Sequence, residues 1–364
     1  MDQNGSCCCG EEACKEQSIT LYNPNDQWII GEIKTEAGII PQISTKLSAS
    51  DILGAWKARW GIGRMNYRIN PGLYAIGTPD TNSRVLVTAN YKLTLDMLRK
   101  ELTGLDLWIM VLDTNGINVW CAAGKGTFGT KELINRIAKT RLSEIVAHKT
   151  IILPQLGAPG VVAHEVTRKT GFQIKYGPVR ASDIKMYLNN GLTADVQMRE
   201  VKFTTKDRLV LTPMEITSSL KPSCIIFALM FLINLIAVNK FGIVDFYGYV
   251  GALMIGCFLT PVLLPWIPAK AFALKGWILG MLWSVFVVMI NGWPFSGSME
   301  FLKGLALLFV LPSVSAYFAM NFTGSSTYTS FSGVRKEMKT AIPFMVITIS
   351  LGTVLLLINS FVRL

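Results

Sequence analysis

The feature that most constrains this chain is a change in composition after residue 221. Five apolar runs follow, each close to the ~20 residues that an α-helix needs to cross a ~30 Å hydrocarbon core. They lie at residues 222–239, 246–268, 271–291, 301–320 and 341–362. Residues 222–364 carry 8 Lys and Arg and 3 Asp and Glu, against 27 and 21 in residues 1–221. The sequence therefore predicts a polar part followed by five membrane spans.

Basic residues predict how these spans are oriented. They gather at alternate connections: Lys202, Lys206, Arg208 and Lys221, then Lys270 and Lys275, then Arg335, Lys336 and Lys339. The opposite connections carry little more than Lys240 and Lys303. Because basic residues favour the cytoplasmic side, residues 1–221 are expected in the cytoplasm and Leu364 outside the cytoplasmic membrane. Residues 1–17 are polar and contain no apolar signal-peptide core.

Residues 46–221 alternate between strand and helix signals. Strands are predicted at 84–88, 107–112 and 150–153, and helices at 94–102, 131–140, 161–170 and 181–189. This alternation predicts a mainly parallel sheet covered on both faces, with ligands beyond the carboxyl ends of the strands. Residues 88–90, 113–116 and 155–157 stand at those ends and are either ligand contacts or turn formers. Residues 1–45 are expected to form a flexible arm with one short strand near 28–33.

One cysteine lies between a predicted strand and a glycine-rich segment. The stretch reads Asn118-Val119-Trp120-Cys121-Ala122-Ala123-Gly124-Lys125 and continues with Gly126 and Thr127. A cysteine thiolate is a soft metal ligand, and the small neighbours let a large flat group approach the backbone closely. Cys121 is therefore a candidate ligand for the metal of a planar macrocycle. The alternative is a buried core cysteine.

A dinucleotide-binding pattern overlaps the same residues. Gly124, Gly126 and Gly129 satisfy G-x-G-x-x-G, a predicted helix follows, and Glu144 lies twenty residues beyond Gly124. That pattern expects an apolar strand running directly into its first glycine, whereas Trp120, Cys121 and two alanines intervene here. Dinucleotide binding therefore stays an alternative.

The octapeptide at 118–125 resembles the cobalt-binding motif of the membrane-bound corrinoid proteins of bacterial and archaeal mercury methylation. The resemblance covers residues 46–364 and is also carried by residues 51–65, 71–74, 153–160 and 176–180. More distantly, the soluble half resembles the corrinoid domain of the large subunit of the corrinoid iron-sulfur protein, which lacks the cysteine. The resemblance implies a Rossmann-like α/β corrinoid-binding domain at 46–221 and an all-α transmembrane domain of five helices at 222–364.

The resemblance also implies an activity. The chain would be a corrinoid-dependent methyltransferase that passes a cobalt-bound methyl group to Hg(II), with Cys121 as lower axial cobalt ligand and residues 118–127 around the cofactor. Its implied partners are a ferredoxin-like protein with two [4Fe-4S] clusters as electron donor and a methyltetrahydrofolate-linked methyl donor protein. A membrane-anchored corrinoid carrier with another methyl acceptor remains open, as does a transporter or receptor.

The remaining histidines, cysteines and charges point to no further site. Many cobalamin proteins take a ligand from Asp-x-His-x-x-Gly, but His148 and His164 have Val146 and Val162 at the acidic positions. The N-terminal cysteines, Cys7, Cys8, Cys9 and Cys14, either capture Hg(II) or are reduced thiols without a set role. The net charge of +11 is spread over the soluble part and the membrane edges, which favours anionic lipid over nucleic acid as its partner.

Overall fold

The computed structural model describes residues 19–292, 298–326, 328 and 331–361. These residues form two compact units. The α/β unit contains the described residues up to Ala58 together with Gly63–Glu200, and the helical unit contains Arg59–Ile62 and the described residues from Val201 onward. The division thus falls earlier than the boundary expected at residue 221. The reason is that Thr212–Ile236 is one continuous helix, which passes through that position.

The α/β unit consists of seven strands and eight helices. The strands are β1 Ile29–Thr35, β2 Gly38–Ile43, β3 Gly72–Ile76, β4 Val85–Ala89, β5 Leu107–Leu112, β6 Thr150–Leu153 and β7 Gln173–Tyr176. The helices are α1 Ala49–Arg59, α2 Lys92–Glu101, α3 Val119–Lys125, α4 Thr130–Lys139, α5 Leu142–Ile145, α6 Ala163–Thr170, α7 Ile184–Asn189 and α8 Val196–Arg199. Short 3₁₀ segments occupy Arg64–Asn66, Gln155–Gly160 and Ala181–Asp183.

The seven strands form one mixed sheet in the order β1-β2-β3-β5-β4-β6-β7. Strands β5, β4, β6 and β7 run parallel to one another. However, β3 is antiparallel to β5, and β1 is antiparallel to β2. The prediction of a mainly parallel sheet therefore holds for β5, β4, β6 and β7, and it is wrong for β2 and β3, which are parallel to each other but run opposite to those four strands.

Both faces of the sheet are buried, as the alternating pattern predicted. On one face, Val85, Val87 and Met110 pack with Leu133 and Ile137 of α4. On the other face, Leu86 and Ile109 pack in a second cluster with Leu95 and Leu98 of α2. Strands β4 and β5 are buried at every residue, which explains why their sequences are continuously apolar.

The segment expected to be a flexible arm contributes two strands. Trp28, Ile40 and Ile43 are buried, and β1 pairs with β2 as a hairpin. Strand β2 makes one register pair with β3, at Gln42 and Ala75. Residues 19–45 therefore belong to the α/β unit. The four N-terminal cysteines lie outside the described residues.

A buried network of charges joins α1 to α2. Arg99 is fully buried and donates to Asp51 at 2.7 Å and to Asp96 at 2.8 Å. Lys92 bridges the same two carboxylates, at 2.5 Å from Asp51 and 2.9 Å from Asp96. Because two cations face two anions, the network is neutral, and each buried charge has an opposite partner.

The helical unit contains seven further helices. They are α9 Thr205–Leu209, α10 Thr212–Ile236, α11 Ile243–Met254, α12 Thr260–Leu263, α13 Phe272–Ile290, α14 Ser298–Asn321 and α15 Phe331–Phe361. A π-helical segment, Ile255–Leu259, joins α11 to α12. Within the described residues, five helical stretches are long and apolar enough to cross a membrane: Thr205–Ile236, Ile243–Leu263, Phe272–Ile290, Phe301–Gly324 and Ser332–Phe361.

Three buried charged residues of the helical unit, Asp245, Lys275 and Arg208, are paired or hydrogen-bonded. Lys303 lies 2.7 Å from Asp245, which in turn accepts from the backbone N–H of Gly242. Lys275 is buried and donates to the carbonyl of Leu264. Arg208 is also buried and donates to the carbonyl of Phe203 at 2.8 Å. Two of the basic residues used to predict orientation, Arg208 and Lys275, are therefore committed to contacts within the unit.

Candidate functional site

Cys121 lies in the first turn of a short helix, α3, rather than in a loop before one. The Asn118 side chain caps this helix by accepting from the backbone N–H of Cys121 at 2.9 Å. At the other end, Gly126 adopts φ 80° and donates its N–H to the carbonyls of Ala122 and Ala123. Glycine is favoured at such a left-handed position because it has no Cβ. The local sequence thus fixes both ends of the seven-residue helix.

A buried asparagine holds the loop that leads into α3. The Oδ1 of Asn90 accepts from the backbone N–H of Thr114 at 3.0 Å, from its hydroxyl at 2.9 Å and from the N–H of Gly116 at 2.9 Å. Its Nδ2 donates to Asp113 at 3.1 Å. The polar residues after β4 and β5 are therefore hydrogen-bonded to one another in the turn that follows β5, as expected of turn-forming residues. Asn90 positions the loop before Asn118.

The inner face of α3 packs against the 3₁₀ segment Gln155–Gly160. Val119, Ala122 and Ala123 are buried there. A Cβ placed on Gly160 would lie 2.1 Å from the carbonyl oxygen of Phe128 and 3.1 Å from the Cα of Ala123. Two backbone segments therefore approach so closely that only glycine fits at position 160.

This close approach predicts a large effect of one methyl group. Gly160→Ala should displace α3 and lower the free energy of unfolding by roughly 1–3 kcal/mol, the usual cost of overpacking. The free energy of unfolding is measured from urea unfolding, with the folded fraction at each urea concentration determined by pulse proteolysis. Gly124→Ala is the control for stability, because a Cβ at Gly124 meets no atom within 4 Å and alanine favours the helix. Equal stability of the two variants would contradict the packing assigned to Gly160.

The outer face of α3 is exposed beside a cavity of about 440 Å³. Trp120 is 38% exposed and lines the cavity, whereas Cys121 is partly exposed and stands about 100° further round the helix. The cavity lies at the carboxyl ends of β4 and β6 and has the size of a small-molecule site. Its other walls include Thr88, Thr94, Met97, Leu153, Leu156 and Val179.

The structure brings most of the sequence-predicted residues together on one short segment. Gly124, Lys125 and Gly126 are exposed at the end of α3, and Thr127 follows with its backbone N–H bonded to the carbonyl of Ala122. Lys125 stands in the last turn, where a cation complements the carbonyl end of the helix. Of residues 118–127, the ones that line the cavity are Asn118, Val119 and Trp120.

The dinucleotide pattern does not have the required geometry. Gly124 and Gly126 lie at the carboxyl end of α3, and the preceding strand β5 already ends at Leu112. A dinucleotide fingerprint instead places its glycines directly between a strand and the N-terminus of a helix. The α/β unit therefore lacks this phosphate-binding turn at 124–129.

The histidines occupy the places expected of hydrogen-bonded or surface residues. His148 lies 2.9 Å through Nε2 from the carbonyl of Ser83, and its Nδ1 accepts from the N–H of Thr150. His164 is exposed in the first turn of α6. Within the part of the chain that the structure describes, no three His, Cys, Asp or Glu residues cluster as a metal site.

The sequence did not predict that α2 would form the wall of the cavity opposite α3. Residues 94–102 were predicted as a helix, but nothing local indicated that Thr94 and Met97 would face residues 118–120 across a cavity. The same holds for Asn90, whose partners lie 24 and 26 residues away. Only its position at the end of a buried strand pointed towards the site.

The part of the chain that contains α3 and the cavity is similar to known proteins. A family model described as CO dehydrogenase/acetyl-CoA synthase delta subunit matches residues 62–188. The acetyl-CoA decarbonylase/synthase complex subunit gamma of Methanopyrus kandleri is 33% identical over 122 residues, covering 33% of this chain and 26% of that subunit. The corrinoid/iron-sulfur protein large subunit of Moorella thermoacetica is 30% identical over 129 residues, covering 35% of this chain and 28% of that subunit.

Part of the α/β unit is thus similar to subunits of acetyl-CoA decarbonylase/synthase complexes and to a corrinoid/iron-sulfur protein. The matched range includes α3 and every residue that lines the neighbouring cavity. The chain nevertheless spans only about a quarter of the length of those relatives.

Proposed function

We propose that this chain is a membrane-anchored corrinoid methyltransferase that passes a cobalt-bound methyl group to Hg(II), with the Cys121 thiolate as lower axial ligand of cobalt. The observation that carries the proposal is the presentation of Cys121 and Trp120 on the exposed face of α3, beside a cavity at the carboxyl ends of parallel strands. A Rossmann-like corrinoid domain is part of this proposal. So is a helical unit that spans the membrane.

The residues present fit a corrinoid. Cys121 offers a soft sulfur, and Gly124 leaves open space above the helix, because a Cβ there would meet nothing within 4 Å. The largely apolar cavity beside Trp120 has room for a nucleotide-like tail that extends from a macrocycle. The macrocycle itself would lie against the exposed residues of α3.

When bound, the corrinoid supplies a methyl group on cobalt. Cys121 supplies a thiolate, which donates more charge to the metal than imidazole and so favours release of the methyl group with its bonding electrons. Asn118 holds Cys121 through the helix cap, and Asn90 holds the loop before it. A metal held by Cys121 would be left oxidised once the methyl group and its bonding electrons passed to Hg(II), so an external reductant would be needed to restore it. The proposed electron donor is a ferredoxin-like protein with two [4Fe-4S] clusters. The proposed methyl donor is a methyltetrahydrofolate-linked protein.

The direct test combines a spectrum with an assay. The purified full chain should show the visible absorption of a bound corrinoid and, when methylated, should form methylmercury from Hg(II). A chain that binds no corrinoid would refute the proposal at its first step. If the chain binds corrinoid but forms no methylmercury in the presence of a reductant, only the proposed transfer to Hg(II) would be refuted.

A second candidate function is a corrinoid methyl carrier with another acceptor. It is favoured by the similarity of residues 62–188 to subunits of acetyl-CoA-forming complexes. The two functions differ in what receives the methyl group. Methyl transfer to a low-molecular-weight thiol or a metal cluster, with none to Hg(II), would decide for the carrier.

Membrane insertion is supported by apolar surfaces that no other described residue covers. On α10, Leu232, Leu235 and Ile236 are 56–74% exposed, and on α15 Val346, Ile347 and Leu351 are 51–59% exposed. Exposed apolar faces of this extent are typical of lipid contact.

The basic connections predict the orientation of the spans. With five spans, a tag after Leu364 should be accessible to protease outside the cytoplasmic membrane of intact cells, whereas a tag before Met1 should be protected. Disruption of the membrane should then expose the N-terminal tag, which controls for intrinsic resistance. Protection of both tags in intact cells would require an even number of spans.

The N-terminal cysteines are proposed as an auxiliary mercury-capturing segment. Replacing Cys7, Cys8, Cys9 and Cys14 together by Ser should reduce methylmercury formation a few-fold at limiting Hg(II) and leave the corrinoid spectrum unchanged, because thiolates pass Hg(II) by ligand exchange. At saturating Hg(II) the rate should recover. Complete loss at saturating Hg(II) would show instead that these thiols are essential for delivery.

A further inference from the structure

The helical unit contains a second and larger cavity, of about 810 Å³. Leu274 and Trp277 of α13 and Phe344 and Met345 of α15 contribute apolar walls. Ala316 of α14 also lines the cavity. These side chains offer no hydrogen-bonding groups apart from the Trp277 indole N–H, so the cavity interior suits hydrocarbon.

Two lysines stand at the polar margin of this cavity. Lys270 lies just before α13, and Lys336 lies in the second turn of α15. Both side chains are exposed, and neither has an ion-pair partner among the residues that the structure describes. The cavity therefore combines apolar walls with unneutralised positive charge at one margin.

The one acidic residue that the structure describes in the same lining carries a single charge against two lysines, and its described hydrogen bond is to the backbone rather than to either lysine. The Oε1 of Glu337 accepts from the backbone N–H of Ala273 at 2.7 Å and so caps the N-terminus of α13, which has no side-chain cap of its own. A carboxylate in this position stabilises the positive end of a helix. Glu337 thus fixes α15 to α13, and the lysines remain available to an external anion.

The two lysines also stand where a headgroup would lie. Each is at the beginning of a stretch that is apolar enough to span a membrane, Phe272–Ile290 or Ser332–Phe361. Basic residues at span ends attract anionic lipids, and basic pockets between transmembrane helices bind lipid headgroups. This step rests on the membrane insertion proposed above.

We infer that this cavity binds an anionic glycerophospholipid. An acyl chain lies against Leu274, Trp277 and Phe344, and the headgroup phosphate pairs with Lys270 and Lys336. The charge complementarity selects an anionic headgroup, and the apolar walls select a lipid over a free anion. The helical unit would then have a defined lipid site in addition to its role as an anchor.

Native mass spectrometry of the detergent-purified full chain tests this inference. Phosphatidylglycerol and phosphatidylcholine with identical acyl chains are titrated separately, and the affinity for the first bound lipid is compared. Phosphatidylglycerol should bind roughly thirtyfold more tightly, about fivefold for each lysine. The Lys270→Gln/Lys336→Gln variant should lose this preference and keep its affinity for phosphatidylcholine.

A matched variant controls for net charge. Lys240→Gln/Lys339→Gln removes the same two charges from the helical unit, but neither residue lines the cavity. It should therefore retain the preference. Equal loss in both double variants, or no preference in the unmodified chain, would overturn the inference. Leu274→Trp fills the cavity and should weaken both lipids, and unchanged lipid binding in that variant would also overturn it.

Further experiments distinguish a bound lipid from a free anion, and the lipid inference from the membrane insertion on which it rests. Inorganic phosphate should not displace the bound phosphatidylglycerol, and full displacement would identify a free-anion site instead. Recovery of the chain in the soluble fraction of cells would reject membrane insertion and this inference together. A membrane-integrated chain without lipid preference would reject the inference alone, and the corrinoid spectrum and methylmercury assay are read independently.

Discussion

Cys121→Ala is expected to abolish methylmercury formation while the protein still binds corrinoid. Substitution removes the proposed thiolate ligand, but it leaves the cavity beside Trp120 and the backbone of α3 in place, since alanine is the best helix former. The visible absorption of the bound corrinoid should shift because the lower axial ligand changes. The rate of methylmercury formation should fall by at least roughly 10³-fold, to the assay background, which corresponds to about 4 kcal/mol of lost transition-state stabilisation.

The matched control for this prediction is Cys224→Ala. Cys224 is an exposed cysteine of α10, far along the chain from α3, and its removal should change neither the spectrum nor the rate. Cys121→His adds a second comparison, because imidazole replaces thiolate as the donor. Full activity in Cys121→Ala would refute the ligand assignment, and loss of bound corrinoid would show that the sulfur is needed for retention as well.

Arg99→Met should destabilise the α/β unit by about 3–5 kcal/mol, the usual cost of removing one partner from a buried ion pair. The substitution keeps the length of the side chain but leaves Asp51 and Asp96 with Lys92 as their remaining cation. It also removes the hydrogen bond from Arg99 to the carbonyl of Lys46, at 2.9 Å. Pulse proteolysis in urea on the detergent-solubilised full chain measures the change.

An exposed pair provides the control. Lys169 lies 3.8 Å from Glu165 on the surface of α6, and Lys169→Met should cost only about 0–1 kcal/mol. A similar loss in the two variants would mean that the buried network contributes no more than a surface pair.

The same network predicts how stability depends on pH. Burial alone would raise the pKa of Asp51, but hydrogen bonds from Lys92 and Ser48 outweigh it and hold that pKa well below its usual range. Because the pKa is lower in the folded than in the unfolded chain, the stabilisation is complete above the ordinary carboxyl pKa of about 4. It is lost as pH falls further, towards the folded-state pKa. Asp51→Asn should show a smaller loss of stability over that acidic range, and an unchanged pH dependence would contradict the assignment.

Local patterns in the sequence determined several parts of this protein. Strands at 107–112 and 150–153 were predicted with the bounds that the structure has, because buried strands are short and continuously apolar. Five apolar helices follow from run length and composition, which need no knowledge of tertiary contacts. Cys121 was singled out as a candidate metal ligand because small residues surround it and because residues 118–125 resemble a cobalt-binding motif.

The sequence did not reveal the pairings that depend on distant residues. Hairpin β1–β2 had been expected to be part of an arm, and the antiparallel pairing of β3 with β5 joins residues more than thirty positions apart. Helix α3 had no long periodic signal, since seven residues make only two turns. It becomes a helix because Asn118 and Gly126 cap it and Gly160 lets the Gln155–Gly160 segment approach it.

What the sequence by itself determined is thus the set of candidate site residues and the division into a polar and an apolar part. Only the tertiary structure decided where that chemistry is presented. Asn90 reaches Thr114 across 24 residues, and Arg99 reaches Asp51 across 48. Such contacts form only when the sheet brings their strands and helices together. Their energies therefore depend on burial and geometry that no local window of sequence contains.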